Sequence, residues 1–189
     1  VIERIVLAYS GGIATTVAVP RLRETHAAEV ITVTMDLGEG RELEAVRARA
    51  LAAGAIRAHV LDLREDFARD FVLPAFKAEA IRGAGHPMAT ELGRALIAQK
   101  LVEIAAIEQA SAVAHGCVGQ GTDRVALERA IRTVAPAMRV LAPALAASFD
   151  APFTTDSNLW GRSIEGGLLD DPDREPPESV YVATKSAVE

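Results

Sequence analysis

Short apolar runs rich in β-branched residues alternate with stretches of helical period over the first 143 residues of the chain. Residues 4–9 (Arg-Ile-Val-Leu-Ala-Tyr) are apolar at consecutive positions from Ile5 on, as a strand covered on both faces of a parallel sheet should be. Further strands are predicted at 29–35, 58–61, 112–115 and 139–142. Helical patterns fill the gaps at about 15–25, 41–53, 67–71, 74–82, 90–110 and 123–133. In the second of these, Leu43, Val46, Ala50 and Leu51 share one face, and Gly54 follows as a stop. The longest carries a broad stripe of Leu92, Leu96, Ile97, Leu101 and Ile104. This alternation predicts an α/β fold: a three-layer, doubly wound, parallel five-stranded sheet with right-handed crossovers. Ligands of such sheets bind beyond the carboxyl ends of the strands. Past Pro143 the periodicity fades, and residues 170–177 (Asp-Asp-Pro-Asp-Arg-Glu-Pro-Pro) read as a linker or arm.

Composition narrows the classes. A chain of 189 residues suits one domain and is short for two. No apolar stretch approaches the ~20 residues of a membrane helix, and Val1-Ile2-Glu3-Arg4 lacks a signal-peptide pattern. A net charge of −6 argues against nonspecific nucleic-acid binding, yet a local site for a small anion can outvote it. The single cysteine, Cys117, cannot form an internal disulfide, so a reducing cytoplasm is the expected compartment. It reads as a small packed residue. His26, His59, His86 and His115 show no zinc spacing.

Two loops fall at the presumed carboxyl edge: Ser10-Gly11-Gly12 after the first strand, and residues 116–121 (Gly-Cys-Val-Gly-Gln-Gly) after the fourth. In the first, the glycines permit a sharp turn and close backbone approach. The following helix would direct free amides and its dipole at an anion, with hydroxyls from Ser10, Thr15 and Thr16 beside it. No Lys follows, so this is not a Walker loop. Spacing alone leaves phosphate binding level with an ordinary strand–helix turn.

The stretch Ile5-Val6-Leu7-Ala8-Tyr9-Ser10-Gly11-Gly12-Ile13-Ala14-Thr15-Thr16 resembles the SGGxD[ST] loop of N-type ATP pyrophosphatases. These enzymes adenylylate a substrate oxygen and release pyrophosphate. Among them it is most similar to the argininosuccinate synthases, which read AYSGGLDTS. The resemblance continues through residues 33–38, 43–47, 86–90, 92–94 and 114–117, with Gly119, Gly121 and Asp123. It is tightest over residues 158–167 (Asn-Leu-Trp-Gly-Arg-Ser-Ile-Glu-Gly-Gly).

That resemblance implies strand order 3-2-1-4-5 and an ATP or AMP site, with Mg2+ as the usual companion of the nucleotide. Ala8, Tyr9, Ser10, Gly11, Gly12, Thr15 and Thr16 would line the phosphates, and Met35 would lie beside adenine. His115, Gly116 and Gly119 would complete the nucleotide wall. Asp123 would be the catalytic, positioning carboxylate, and Thr122, Thr154, Ser163 and His86 would join it around a small substrate. A homo-oligomer or a partner subunit is implied as well.

Departures from the family pattern matter as much. The loop Asp is Ala14, so the metal loses a ligand or polarised water there. In the second loop, patterned HGxTGKGNDQVRFE, the aspartate-contacting Thr and Asn become Val118 and Thr122, and the citrulline-contacting Arg becomes Ala126. Arg124 is an adjacent but angularly displaced cation. His86 replaces a Tyr and reads as a solvated loop histidine, and Glu39 replaces a Gln.

The expected organisation is a nucleotide-binding domain at 1–143, a shortened substrate-side segment at 144–169, and a linker or arm at 170–189 without the synthetase domain. Two functions stay open. One is AMP transfer to a small carboxylate or ureido substrate, short of complete citrulline–aspartate ligation by this chain alone. The other is a non-catalytic nucleotide-binding protein that modulates a partner. Residues 158–167 argue against a third reading, a universal-stress-type sensor.

Overall fold

In a computed structural model, residues 3–38, 42–78, 88–117 and 122–143 are described. The elements run β1 (Arg4–Ala8), α1 (Ile13–His26), β2 (Glu29–Asp36), α2 (Leu43–Ala52), β3 (Arg57–Asp62) and α3 (Arg64–Phe67). A π-helical turn (Ala68–Val72) leads into α4 (Leu73–Lys77). There follow α5 (Met88–Ile107), β4 (Ala112–His115), α6 (Thr122–Val134) and β5 (Arg139–Leu141). All strand pairs are parallel, in the order β3-β2-β1-β4-β5. The α/β class and the strand order expected from the sequence both hold. No helix among the described residues is long and apolar enough to cross a membrane.

The central strand explains the layering. Ile5, Val6 and Leu7 are all fully buried, because successive side chains of β1 leave opposite faces of a sheet that is covered twice. Ile5 and Leu7 join Val19, Leu22, Val46 and Ala50 of α1 and α2. Val6 joins Ala98, Leu101, Leu127 and Ile131 of α5 and α6 on the other side. With few aromatics, the core is aliphatic, and Ala98, Ala105, Ala112 and Ala114 are buried completely.

Helix boundaries differ from the sequence reading where the backbone departs from regular geometry. α1 begins at Ile13 rather than Thr15, since Gly11 turns the chain at φ +78° and Gly12 already serves as the N-cap. It runs through Pro20 and ends on Ala27 at φ 49°. The two segments expected between 67 and 82 begin earlier, at Arg64, and form one helical path with the π turn in its middle. Pro74, in the first turn of α4, carries no N–H for a regular bond, and π turns accommodate such interruptions. The end of the second segment, 79–82, lies outside the described residues.

One carboxylate ties the edge strand to the far side of the sheet. Glu108, just after α5, is buried and accepts two bonds from Arg57 Nη1, at 2.6 and 2.7 Å, and one at 2.6 Å from His59 Nε2. Burial alone would raise its pKa, but the donors on Arg57 and His59 hold it below the ordinary value. A carboxyl depressed in this way stabilises the fold above the unfolded glutamate pKa and loses that contribution as pH falls through the folded value. Glu108→Gln should therefore lower stability at pH 7 by about 2–3 kcal/mol. In urea unfolding, the gap from the wild type should close as the pH is lowered below 4.5, the unshifted glutamate value.

Candidate functional site

The strand register sets the site. Ala8 pairs with Val33 on one side and His115 on the other, so the loops after β1 and β4 start side by side at the carboxyl edge. Tyr9 extends β1 by one residue through its N–H to Val33 O (2.9 Å) and is 3% exposed. Gly11 then takes φ +78°, and a Cβ there would stand 3.0 Å from Val46 Cγ1 of α2. Both the dihedral and the contact require glycine. Arg49 of α2 donates from Nη1 to Gly11 O at 2.6 Å.

Gly12, the N-cap residue, is extended (φ −77°, ψ 168°) and has no side chain with which to cap α1. Thr15 and Thr16 donate their hydroxyl protons back to Gly12 O at 3.1 and 2.9 Å. Thr16 Oγ1 also lies 2.8 Å from the Tyr9 hydroxyl, which leaves Tyr9 as the donor of that bond. Ser10 Oγ sits 3.2 Å from Thr15 Oγ1 and accepts from Gly12 N at 3.4 Å. The hydroxyls thus brace the turn. The first-turn amides of α1 have no intrahelical acceptor, the property that suits a helix N-terminus to anions.

Gly116 closes the second loop against the first. A Cβ built on it would collide with Thr15 Cγ2, although its φ lies outside the left-handed region. His115, expected as a nucleotide contact, is 1% exposed. Its Nδ1 accepts the Cys117 N–H at 3.3 Å, so the neutral ring carries its proton on Nε2. Nε2 lies 3.4 Å from Glu128 Oε1 without hydrogen-bond alignment, a buried polar side-chain atom with no partner. Burial pushes the imidazole below its ordinary pKa by more than the Glu128 charge lifts it. Glu128 would itself be raised by burial but is held low by the Arg124 Nε–H, 2.6 Å from Oε1. Cys117 packs against the β1–α5–α6 core.

The other residues singled out in the sequence are spread more widely. Met35 is half-buried and packs against the cluster of Leu63, Phe67 and Leu96. Thr122 and Asp123 form the start of α6. His86, Gly119, Thr154 and Ser163 lie outside the described residues. Ala14 sits in the first turn of α1, and no cluster of three His, Cys, Asp or Glu able to hold a metal occurs among the described residues. A carboxylate ligand for Mg2+ is therefore not supplied at this turn.

Sequence reasoning missed Arg49 and Glu128. Arg49 meets Gly11 across 38 positions, with no local signal. Glu128 was foreshadowed by the last Glu of the second-loop pattern and by its i,i+4 spacing from Arg124, neither of which showed its place beside His115. At the ends of β2 and β3, Arg64 forks onto Asp62 at 2.9 and 2.6 Å, and its hydrogen bonds hold the Asp62 carboxyl at a pKa of about 2. Asp36 accepts the Gly38 N–H at 2.9 Å and closes the turn after β2. A groove of about 940 Å³ at the opposite, amino edge is lined by charges of both signs, Arg4 and Arg23 with Glu3, Glu24 and Glu29.

A doubly wound sheet whose glycine turn delivers an uncapped helix to the carboxyl edge has the architecture of the HUP domains, the adenine nucleotide α-hydrolase-like class. Residues 4–157 match the family model described as the Arginosuccinate synthase N-terminal HUP domain, and residues 153–189 match the Arginosuccinate synthase C-terminal domain. The chain belongs to the argininosuccinate synthase family. It is 41% identical to argininosuccinate synthase of Dictyoglomus turgidum over 203 residues, covering 97% of this chain and 51% of that protein. The Brevibacillus brevis enzyme is 41% identical over 207 residues, with 99% and 49% covered. That of Geobacillus sp. (strain WCH70) is 42% identical over 201 residues, with 96% and 50% covered. The chain spans about half the length of these relatives. A crystal structure of a predicted subunit of tRNA methyltransferase from Methanocaldococcus jannaschii shares the fold, at TM-score 0.52 and 12% identity, over 78% of this chain and 71% of that one.

The Gly116–Thr15 contact can be tested by a double-mutant cycle. Gly116→Ala should destabilise the domain by about 1–3 kcal/mol through overpacking. Thr15→Ser removes Cγ2, so in that background the same substitution should cost less than half as much, read by thermal or urea unfolding.

Proposed function

We propose that this chain binds ATP at the carboxyl edge, with the polyphosphate over the first-turn amides of α1 and the β4 loop as the adjoining wall. The observation that carries the reading is the pairing of an uncapped helix N-terminus with a second glycine loop held in contact by Gly116 and Thr15. Backbone amides there are pre-aimed at developing negative charge, as electrostatic stabilisation requires. In the reaction this supports, an oxygen of a small carboxylate or ureido substrate attacks the α-phosphorus of ATP. The bond from that phosphorus to the bridging oxygen breaks, pyrophosphate leaves, and AMP remains on the substrate. Asp123 at the start of α6 is the carboxylate that would position that substrate. No step is assigned to Mg2+, because Ala14 offers it no ligand.

A non-catalytic reading is favoured by that same Ala14, since a methyl group cannot polarise water or hold a metal beside the leaving pyrophosphate. One set of assays separates the two. Calorimetry should show ATP binding, and a pyrophosphate-release assay across carboxylates and ureido compounds should give release only with an acceptor present. Binding without pyrophosphate under any acceptor would leave the non-catalytic reading. Ala14→Asp should raise ATP affinity several-fold in Mg2+ and leave it unchanged in EDTA.

A further inference from the structure

The first turns of α6 hold a guanidinium in an unfavourable place. Arg124 lies near the amino end of a 13-residue helix, where the helix dipole disfavours a cation. It stays there because its Nε–H donates to Glu128 Oε1 at 2.6 Å, one turn on. Glu128 is only 15% exposed and is also approached by Arg132 Nη2, 3.5 Å from Oε2, and by His115 Nε2, 3.4 Å from Oε1. These are the charged and titratable groups that face it from α6 and β4. The Nε bond is the one hydrogen bond Arg124 makes among the described residues, so the four N–H donors of its two Nη groups are uncommitted while the side chain is held in place. A guanidinium fixed through Nε and open through Nη1 and Nη2 offers the planar fork that takes a carboxylate with two parallel bonds.

We propose that Arg124 is a carboxylate-binding residue of this chain, braced for that role by Glu128 and coupled through it to His115. The inference rests on the reading of the carboxyl edge as the nucleotide and substrate site. It supplies a cation for an anionic substrate where the family-pattern Arg is replaced by Ala126. Coupling follows from a shared acceptor, because Arg124 Nε and His115 Nε2 both face Glu128 Oε1. A carboxylate that draws Arg124 outward weakens its hold on that oxygen. The buried, unpartnered Nε2–H of His115 then gains it. Loading of the substrate carboxylate is thereby felt at the end of β4, one residue from Gly116.

The test uses the full chain, succinate as the probe, and NMR observation of the Arg124 Nε–H and His115 Nε2–H resonances. Succinate should shift both in a saturable manner. Arg124→Gln should weaken succinate binding at least about tenfold, with Arg124→Lys between it and the wild type. Glu128→Gln, which keeps an acceptor but loses the charge, should weaken it several-fold and uncouple the His115 shift from the titration. Succinate binding by Arg124→Gln at wild-type strength would overturn the inference, as would a His115 resonance that does not respond in the wild type. Calorimetry with ATP on the same wild-type sample keeps the two readings apart. Succinate response without ATP binding would contradict the nucleotide site and leave Arg124 standing, and the converse would do the reverse.

Discussion

The carboxyl edge depends on one close approach, the backbone of Gly116 against the side chain of Thr15. Register alone brings β1 and β4 level, through Ala8 and His115. Their loops meet only because position 116 has no Cβ, which would collide with the Thr15 methyl. Without that contact the hydroxyl brace of Tyr9, Ser10, Thr15 and Thr16 around Gly12 would lose its backing. Gly11 plays the matching part against Val46 of α2. Two missing side chains thus allow α2 and the loop after β4 to close on the turn that starts α1, and Arg49 closes it by fixing the Gly11 carbonyl. Because a peptide is planar and trans, fixing that carbonyl also fixes the direction of the Gly12 N–H.

Much of the architecture was legible in the chain. Unbroken apolar runs such as residues 5–9 belong to strands buried on both faces, and their alternation with helical periods leaves few topologies open. The spatial order came from the resemblance, not from the pattern, because periodicity carries no information about which strand neighbours which. The helix after β3 was harder to place. Its π turn and Pro74 break the 3.6-residue period on which the reading depends.

The site was legible as a location more than as a set of roles. Ser10, Thr15 and Thr16 read as phosphate donors from their hydroxyls, yet the threonine protons go to Gly12 O and the Thr15 side chain is buried. His115 sits at the expected edge with its ring turned into the protein. Such roles depend on partners far away in sequence, as with Arg49 on Gly11, or on burial. Neither is encoded in local spacing. The charge balance fits the same picture. The described arginines and acids are drawn largely into pairs, such as Arg57–Glu108 and Arg64–Asp62, so the anion site proposed for this acidic chain relies chiefly on main-chain amides.

Backbone amide shift mapping with ATP locates the bound nucleotide residue by residue. The largest perturbations should fall on residues 11–14 and 116–117, at the two adjoining loops. Perturbations centred instead on the amino edge, around Arg4, Arg23 and Gln109, would contradict binding at the carboxyl edge, as would their absence at saturating ATP.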